Sequence, residues 1–331
     1  MEINKVGLVY SYKEQPQMQA EVILASASTT VAKNIYTIRV RYPRPIHGEI
    51  MTHRVFGRNA RSSRAVPVKT MLNEVRDIPY VPWHWGKNQK GMQADEECNT
   101  DVIVPDWVYE PNDDQMIYGS NTLSREEAWL HLRDHAADVA EGFMEAGYHK
   151  QNPNRLLEPF SWIDTLITST EWDNFFWLRQ HGAAEPHLID LANLMHTAIK
   201  ETRAHPLPHG HWHLPYINDD DWFASDTDAK PEGMTCDDFL LNVSAARCAR
   251  ISYTPFDGDP SYERELQRAN LLMNDERVHA SPFEHQAKPD EEMVSSYHGH
   301  FVGWKNPDLH GNLNGWIQAR KLIPNEVYSS K

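Results

Sequence analysis

Thirteen residues, Thr52-His53-Arg54-Val55-Phe56-Gly57-Arg58-Asn59-Ala60-Arg61-Ser62-Ser63-Arg64, set four arginines and a histidine beside a pair of serines. Between positions 39 and 69 stand eight basic residues (39, 41, 44, 54, 58, 61, 64 and 69) against one acid, Glu49, in a chain whose formal net charge is -15. Guanidinium groups pair bidentately with phosphate or carboxylate. Gathering them in an acidic protein points to a pocket for a small phosphorylated ligand. The competing reading is a solvated charged helix face. Ser62 is assigned to hydrogen bonding, because a nucleophilic serine needs an adjacent base and none is evident.

Other chemistry is less well supported. His205, His209, His211 and His213 alternate along one segment, a spacing that lets imidazoles converge on a metal. The segment lies among prolines and glycines with no cysteine and no HExxH, so a surface loop is expected and no metal site. No GxGxxG follows a strand, and neither a P-loop nor a Gly-x-Ser-x-Gly elbow occurs. Cys98, Cys236 and Cys248 are widely spaced. That argues against a disulfide framework and fits a reducing, cytoplasmic compartment. No apolar run is long enough to span a bilayer, and no signal-peptide pattern opens the chain. The acidic balance disfavours sequence-independent nucleic-acid binding. A chain of 331 residues with 40% apolar content suits a sizeable core.

Positioning these groups requires a particular set of elements. Residues 20–41 read as β, with Ile35-Tyr36-Thr37-Ile38-Arg39-Val40 alternating as a strand with one wet face. Pro43 and Pro45 end the strand, and a helix over 46–56 is expected to carry the basic motif at its C-terminal end. Pro67 opens another short helix. Residues 78–122, rich in Pro, Asn, Asp and Trp, read as a long functional loop in which Trp83, His84, Trp85 and Gly86 suit a lid over a ring, with Asn88 and Gln89 adding polar contacts. Ser124 and Glu127 form a capping box ahead of Trp129, Leu132, Ala136, Val139, Ala140 and Phe143 at helical spacing, and Gly147 ends that helix. Further helices are expected at 154–168, 171–180, 186–203, 236–248 and 261–274, with 204–233 irregular. The class is α+β or α/β.

The basic segment, with His53-Arg54 followed by Ser62 and Arg64, resembles the signature of the flavin-dependent thymidylate synthases (ThyX type). Ser244-Ala245-Ala246-Arg247-Cys248-Ala249-Arg250-Ile251-Ser252-Tyr253 resembles the segment that opens the usual member. His279-Ala280-Ser281-Pro282-Phe283-Glu284-His285 resembles the flavin-contacting turn, while Arg155-Leu156-Leu157-Glu158-Pro159 and Asn174-Phe175-Phe176-Trp177-Leu178-Arg179 resemble later helices. In the usual order the second and third blocks precede the basic motif. Here they follow it, so the chain is expected to be a circularly permuted, phage-type member, a rearrangement that surface termini tolerate.

The resemblance implies one mixed α/β catalytic domain over 1–331, with a twisted sheet, flanking helices, a helical subregion and long insertions at 78–122 and 204–233. It implies a homotetramer with sites between subunits, located in the cytoplasm (the host's, if phage-encoded). The implied reaction is reductive methylation of dUMP to dTMP with FAD as cofactor and methylenetetrahydrofolate and NADPH as co-substrates. Arg179, His279 and Ser62 fall at catalytic positions. Glu49, Ser62, Ser63, Arg64, Arg155 and Arg179 fall at nucleotide positions, and His53, Arg54, Asn174, Ser252, Ser281 and Glu284 at flavin positions. Arg247 and Arg250 either contact flavin phosphates or tie their helix to the core.

The signature's first Arg is Thr52, a middle Ser is Gly57 and an expected Glu is Ala60; residues 318–326 are expected to supply the missing polar groups. These departures keep open a flavin-dependent pyrimidine-nucleotide hydroxymethylase, in which water replaces hydride. A catalytically inactive nucleotide-binding homologue and a metalloprotein built on the His cluster are the readings from other classes.

Overall fold

Two β-rich runs, residues 18–27 and 35–43, pair with each other in the main sheet. The computed structural model describes residues 5–8, 18–110, 115–208, 210–251, 259–273 and 278–328. Its strands are β1 (Lys5–Leu8), β2 (Met18–Ala27), β3 (Ile35–Pro43), β4 (Gly57–Ala60), β5 (Val102–Glu110), β6 (Gln115–Leu123), β7 (Trp162–Ser169), β8 (His205–Pro206), β9 (Ala287–Pro289), β10 (Glu292–Val294), β11 (Phe301–Trp304) and β12 (Trp316–Gln318). Its helices are α1 (His47–Ile50), α2 (Val68–Asp77), α3 (Arg125–Glu145), α4 (Gln151–Leu157), α5 (Asp173–Arg179), α6 (Pro186–Glu201), α7 (Asp219–Ser225), α8 (Cys236–Ala249) and α9 (Tyr262–Met273). The fold is α+β.

The main sheet runs β1-β2-β3-β7-β4, with β8 added parallel to β2. On β3 the half-buried Arg39 and Arg41 pair with Glu21 and Asp164, while Ile38, Val40 and Tyr42 are buried. β7 is buried along nearly its whole length. A helix over 154–168 is therefore corrected: α4 stops at Leu157 and residues 162–169 form the strand between β3 and β4. A central strand buried on both faces loses the alternation that marks half-buried strands.

α5 and α6 pack onto the sheet through Phe175, Phe176, Leu188, Leu191 and Met195. A second cluster joins α2, α3 and α4 through Met71, Leu72, Val75, Ala137, Ala140 and Leu157, the helical subregion. α3 carries the expected capping box: Ser124 Oγ accepts from the Glu127 amide, and Glu127 reaches back to the Ser124 amide. Gly147 follows its end with φ +81°, the left-handed conformation that glycine adopts without strain. α7, α8 and α9 enclose a third cluster with Trp212.

Two loop expectations are corrected. Within 78–122, β5 and β6 form a nine-residue-per-strand antiparallel hairpin. Within 204–233, α7 is capped by an Asn218–Asp221 box. The helix expected over 46–56 is one turn long, because the chain leaves helical geometry after Ile50 and becomes edge strand β4. Among the described residues, no helix is long and apolar enough to cross a membrane.

Candidate functional site

β4 is an edge strand of the sheet, opposite β1, and the conspicuous sequence blocks lie at its two ends and its flank. At its N-terminal end the first cluster forms. In α5, Phe175 and Arg179 are four residues apart and so share a helix face. Phe175 is buried and meets the His53 ring edge-on, with centroids 4.8 Å apart at 86°. Arg179 then donates from Nε to His53 Nε2 at 2.8 Å and from Nη2 to Thr52 Oγ1 at 3.1 Å. Its Nη1 lies 3.8 Å from Glu49 Oε2.

The electrostatics follow from this packing. Because Nε2 accepts, the proton of a neutral His53 ring sits on Nδ1. Burial, then the Arg179 and Arg58 charges, hold His53 down at about 4. Burial and the Glu185 charge raise the Glu49 carboxyl, and Arg179 opposes them. The cluster is a neutral imidazole beside a guanidinium that keeps only loose ion pairing, an arrangement suited to an anion.

The second cluster lies along β4. A 3-10 turn, Ser281–Glu284, packs beside Gly57, where an added Cβ would stand 3.3 Å from Glu284 Cβ and 3.4 Å from its carbonyl oxygen. Arg320 forms a short ion pair with Glu284, and Gln318 Nε2 donates to the Glu284 carbonyl at 3.1 Å. Segment 318–326 thus returns to the turn. Ser281 and His279 are exposed; the His279 amide donates to Leu272 O at 2.9 Å.

His285 does not pair within its own turn. It is fully buried and its Nδ1 meets Thr168 Oγ1 at 2.8 Å. From there hydroxyl and imidazole groups continue through Thr37 (2.6 Å) and His213 (2.9 Å) to Ser26 (2.8 Å). Burial lowers both imidazoles to about 3. This buried chain anchors the turn to the sheet.

The third cluster is at the C-terminal end of β4. Asn154 Nδ2 donates to the carbonyls of Ser63 (2.7 Å) and Val66 (2.9 Å), and Lys150 Nζ donates to Ala65 O at 3.0 Å. These bonds fix the 62–66 turn on α4. Ser62, Arg64 and Arg155 are exposed, and Ser62 Oγ accepts from the Arg64 amide at 3.3 Å.

Not every arginine of the basic segment is available to a ligand. Arg61 is 8% exposed and grips Glu74 with two 2.8 Å bonds. Arg44 bonds Ser161 Oγ and the Arg61 carbonyl, and Arg58 donates to Ile50 O at 3.0 Å. Arg54, Arg64 and Arg155 are exposed. The solvated-face reading therefore fails for Arg61 and Arg44, which are structural.

Arg247 is likewise structural. It pairs with Asp221 at 2.6 and 2.8 Å and with Glu265 at 2.9 Å, and Arg250 joins Glu265. Asn174 is exposed on α5, and Ser252 lies outside the described residues. Among the described residues, no side-chain hydrogen bond joins the three clusters to one another.

Arg320 belongs to the 318–326 segment expected to supply polar groups, and Arg58 to the basic segment. What spacing along the chain does not show is that both face Glu284. The aromatic lid is corrected as well: Trp83 is stacked on Trp162 (6.4 Å, 11°) against the core, and Gln89 pairs with Asp95. Among the described residues no group of three or more His, Cys, Asp or Glu could hold a metal. His213 is engaged at both ring nitrogens, and His209 lies outside the described residues.

No family model matches the chain, and no curated protein matches it. Among solved structures, it is similar to a UMP/dUMP methylase PolB from Streptomyces cacaoi bound with 5-Br UMP. That likeness has 18% identity and a TM-score of 0.38, covering 56% of this chain and 89% of the other. It is also similar to the flavin dependent thymidylate synthase ThyX from Helicobacter pylori complexed with FAD and dUMP. Here identity is 16% and the TM-score 0.30, over 50% of this chain and 67% of that one.

Proposed function

We propose that this chain is a flavin-dependent pyrimidine-nucleotide methylase of the thymidylate synthase type, acting on dUMP to give dTMP. The observation that supports this most is the Arg179 cluster. Blocks 126 residues apart meet so that one guanidinium touches His53 and Thr52 and approaches Glu49. By the resemblance, Glu49 and Arg179 are nucleotide positions and His53 a flavin position.

In this reading Arg64 and Arg155 take the nucleotide phosphate, since both are exposed and flank the turn that Asn154 fixes. Ser62 and Ser63 contribute hydrogen bonds at the same turn. Arg179 faces the pyrimidine and stabilises charge that develops on its carbonyl. Glu49 orients Arg179. His53 stays neutral at physiological pH, so its second ring nitrogen is a donor and not a second cation.

The exposed donors Arg54, Asn174 and Ser281, with Glu284 held by Arg320, have the chemistry to hold FAD, and the exposed His279 precedes Ser281 by two residues. FAD, when bound, supplies the electrons that reduce the transferred one-carbon unit; methylenetetrahydrofolate is the proposed carbon source and NADPH the reductant.

Two departures from the signature acquire partners here. Thr52 accepts a hydrogen bond from Arg179, and Gly57 leaves room for Glu284. Nothing in the structure explains Ala60. A homotetramer whose sites are completed by a neighbouring subunit, as the resemblance implies, is part of the proposal. The packing of the 281–284 turn against β4 accommodates the permuted block order of a phage-type member, because contact and not chain order builds the site. One catalytic domain over 1–331 and a cytoplasmic location complete the proposal.

The test is a mass spectrum of the nucleotide after incubation of the protein with FAD, dUMP, methylenetetrahydrofolate and NADPH. A gain of one methyl group is expected. A hydroxymethyl product redirects the reading to the hydroxymethylase. Unchanged dUMP with normal flavin turnover excludes dUMP as the substrate.

A further inference from the structure

The β5–β6 hairpin is a two-stranded sheet of nine paired positions and belongs to no larger sheet. At the usual rise of a strand it reaches about 30 Å from its root. Directly opposed residues share a face, and the face alternates along each strand. Val104, Gly119, Asn121 and Leu123 fall on one face and are half-buried. This face turns to α3, where Val102, Val104 and Leu132 line one cavity. Ile103, Pro105, Tyr118, Ser120 and Thr122 fall on the other face and are all exposed, Ile103 and Tyr118 at 68% each. The same register assigns Trp107, Tyr109 and Met116 to this second face.

Charge and area decide what covers that second face. No charged residue falls on it, whereas the strand acids Asp106 and Glu110 fall on the face that turns to α3. A cationic partner would seek the carboxylates, and a polyanion is repelled by a chain of net charge -15. A second copy brings the same -15, so it approaches closely only across a face from which charge is missing. Aromatic side chains bury roughly 150–250 Å² each, so three of them with Ile103, Pro105 and Met116 cover about 700 Å² per copy, close to the roughly 800 Å² per partner of a standard interface. A lone two-stranded hairpin is also marginal in water and gains stability when a face is covered.

We propose that the uncharged face of the hairpin is a self-association surface, on which the hairpins of two copies of this chain stack face to face about a two-fold axis. The contact is isologous, so each copy offers the same residues, and the two small sheets lie about 10 Å apart with their side chains interleaved. None of the residues in the nucleotide or flavin clusters lies on the hairpin. The inference therefore stands whatever reaction the chain performs, and in the proposed homotetramer this surface is one of the two-fold contacts.

The experiment measures the mass of the full chain in solution by light scattering, over a dilution series. The wild type has the mass of two or four chains. Ile103→Lys combined with Tyr118→Lys sets like charges against each other across the two-fold axis and halves that mass, with the melting curve still cooperative. Gln115→Lys adds the same charge on the opposite face of the hairpin and leaves the mass unchanged. If the double variant fails to fold, Tyr118→Ser alone weakens self-association about tenfold or more, read from the dilution midpoint. A wild type that is monomeric at about 100 µM, far above the Kd of an interface of this area, overturns the proposal. So does a mass or midpoint that the Ile103 and Tyr118 variants leave unchanged, or one that Gln115→Lys lowers equally. Nucleotide methylation is followed separately, so its failure does not alter these outcomes.

Discussion

Arg179 Nε donates to His53 Nε2 at 2.8 Å, so the imidazole is an acceptor toward the guanidinium and stays neutral while the arginine keeps its charge. Replacing Arg179 by Ala removes both that bond and one of the charges that depress His53. Its midpoint then rises from about 4 toward 6.5 without reaching it, since burial is the larger cause. The same variant weakens dUMP binding by about 10- to 100-fold, the range for a lost hydrogen bond to a charged group. An NMR titration of the His53 ring, paired with calorimetry on dUMP, checks both. A midpoint that stays in place shows that Arg179 does not hold this ring.

Arg64 and Arg155 provide a contrasting case. Both are exposed, and no ion pair of theirs occurs among the described residues, so Arg64→Ala and Arg155→Ala leave the melting temperature within about 2 °C. On the proposed function, their KM for dUMP rises about tenfold or more, because each variant then removes a charged partner of the phosphate. Arg61→Ala behaves in the opposite way: it strands Glu74, which Arg61 grips bidentately, and lowers stability by about 2–3 kcal/mol. Thermal melts of the three variants beside steady-state kinetics separate ligand arginines from structural ones.

The difference between Arg61 and Arg64 was invisible in the sequence, where both sit in one run of like charge. Spacing does not say which guanidinium turns inward, because the partner of Arg61 is supplied by α2 and that of Arg179 by α1 and the residues after it. Local signals were legible: the Ser124–Glu127 box, the Gly147 stop and the alternation over Ile35–Val40 in β3 all follow from short-range chemistry. What was lost depended on burial. β7 reads as a helix because both its faces are covered. The β5–β6 hairpin reads as a loop because it stands away from the core, with Ile103 and Tyr118 each 68% exposed.

The buried imidazoles set a pH dependence. His213 and His285 titrate at about 3 and His53 at about 4 in the folded chain, against 6.5 when exposed. The unfolded chain therefore binds protons first. The stability these groups contribute is complete above pH 6.5 and is lost as pH falls toward 3. Between pH 6.5 and 5 most carboxylates remain ionised, so the fall in melting temperature there belongs to the histidines. His285→Leu, which removes one of them and leaves Thr168 without its imidazole, lowers the melting temperature at pH 7.5 and flattens the slope between 6.5 and 5. A slope unchanged from wild type would show that His285 is not buried in neutral form.

Gly57 is the residue at which the basic motif and the 281–284 turn come closest. A methyl group there meets Glu284 Cβ at 3.3 Å, tighter than ordinary van der Waals contact, and its backbone oxygen at 3.4 Å. Glu284 cannot swing away freely, because Arg320 holds its carboxylate and Gln318 its carbonyl. The turn must move as a unit, and Ser281 moves with it. Gly57→Ala should therefore cost about 1 kcal/mol in stability, the lower range for overpacking, while weakening FAD retention by more than that loss explains. Gel filtration followed by flavin absorbance measures retention, and a denaturant melt measures stability. Gly57→Ala combined with Arg320→Ala frees the Glu284 carboxylate, so the turn relaxes and the added stability cost of the alanine becomes smaller. An equal cost in both backgrounds would mean that the close approach at Gly57 does not constrain the turn.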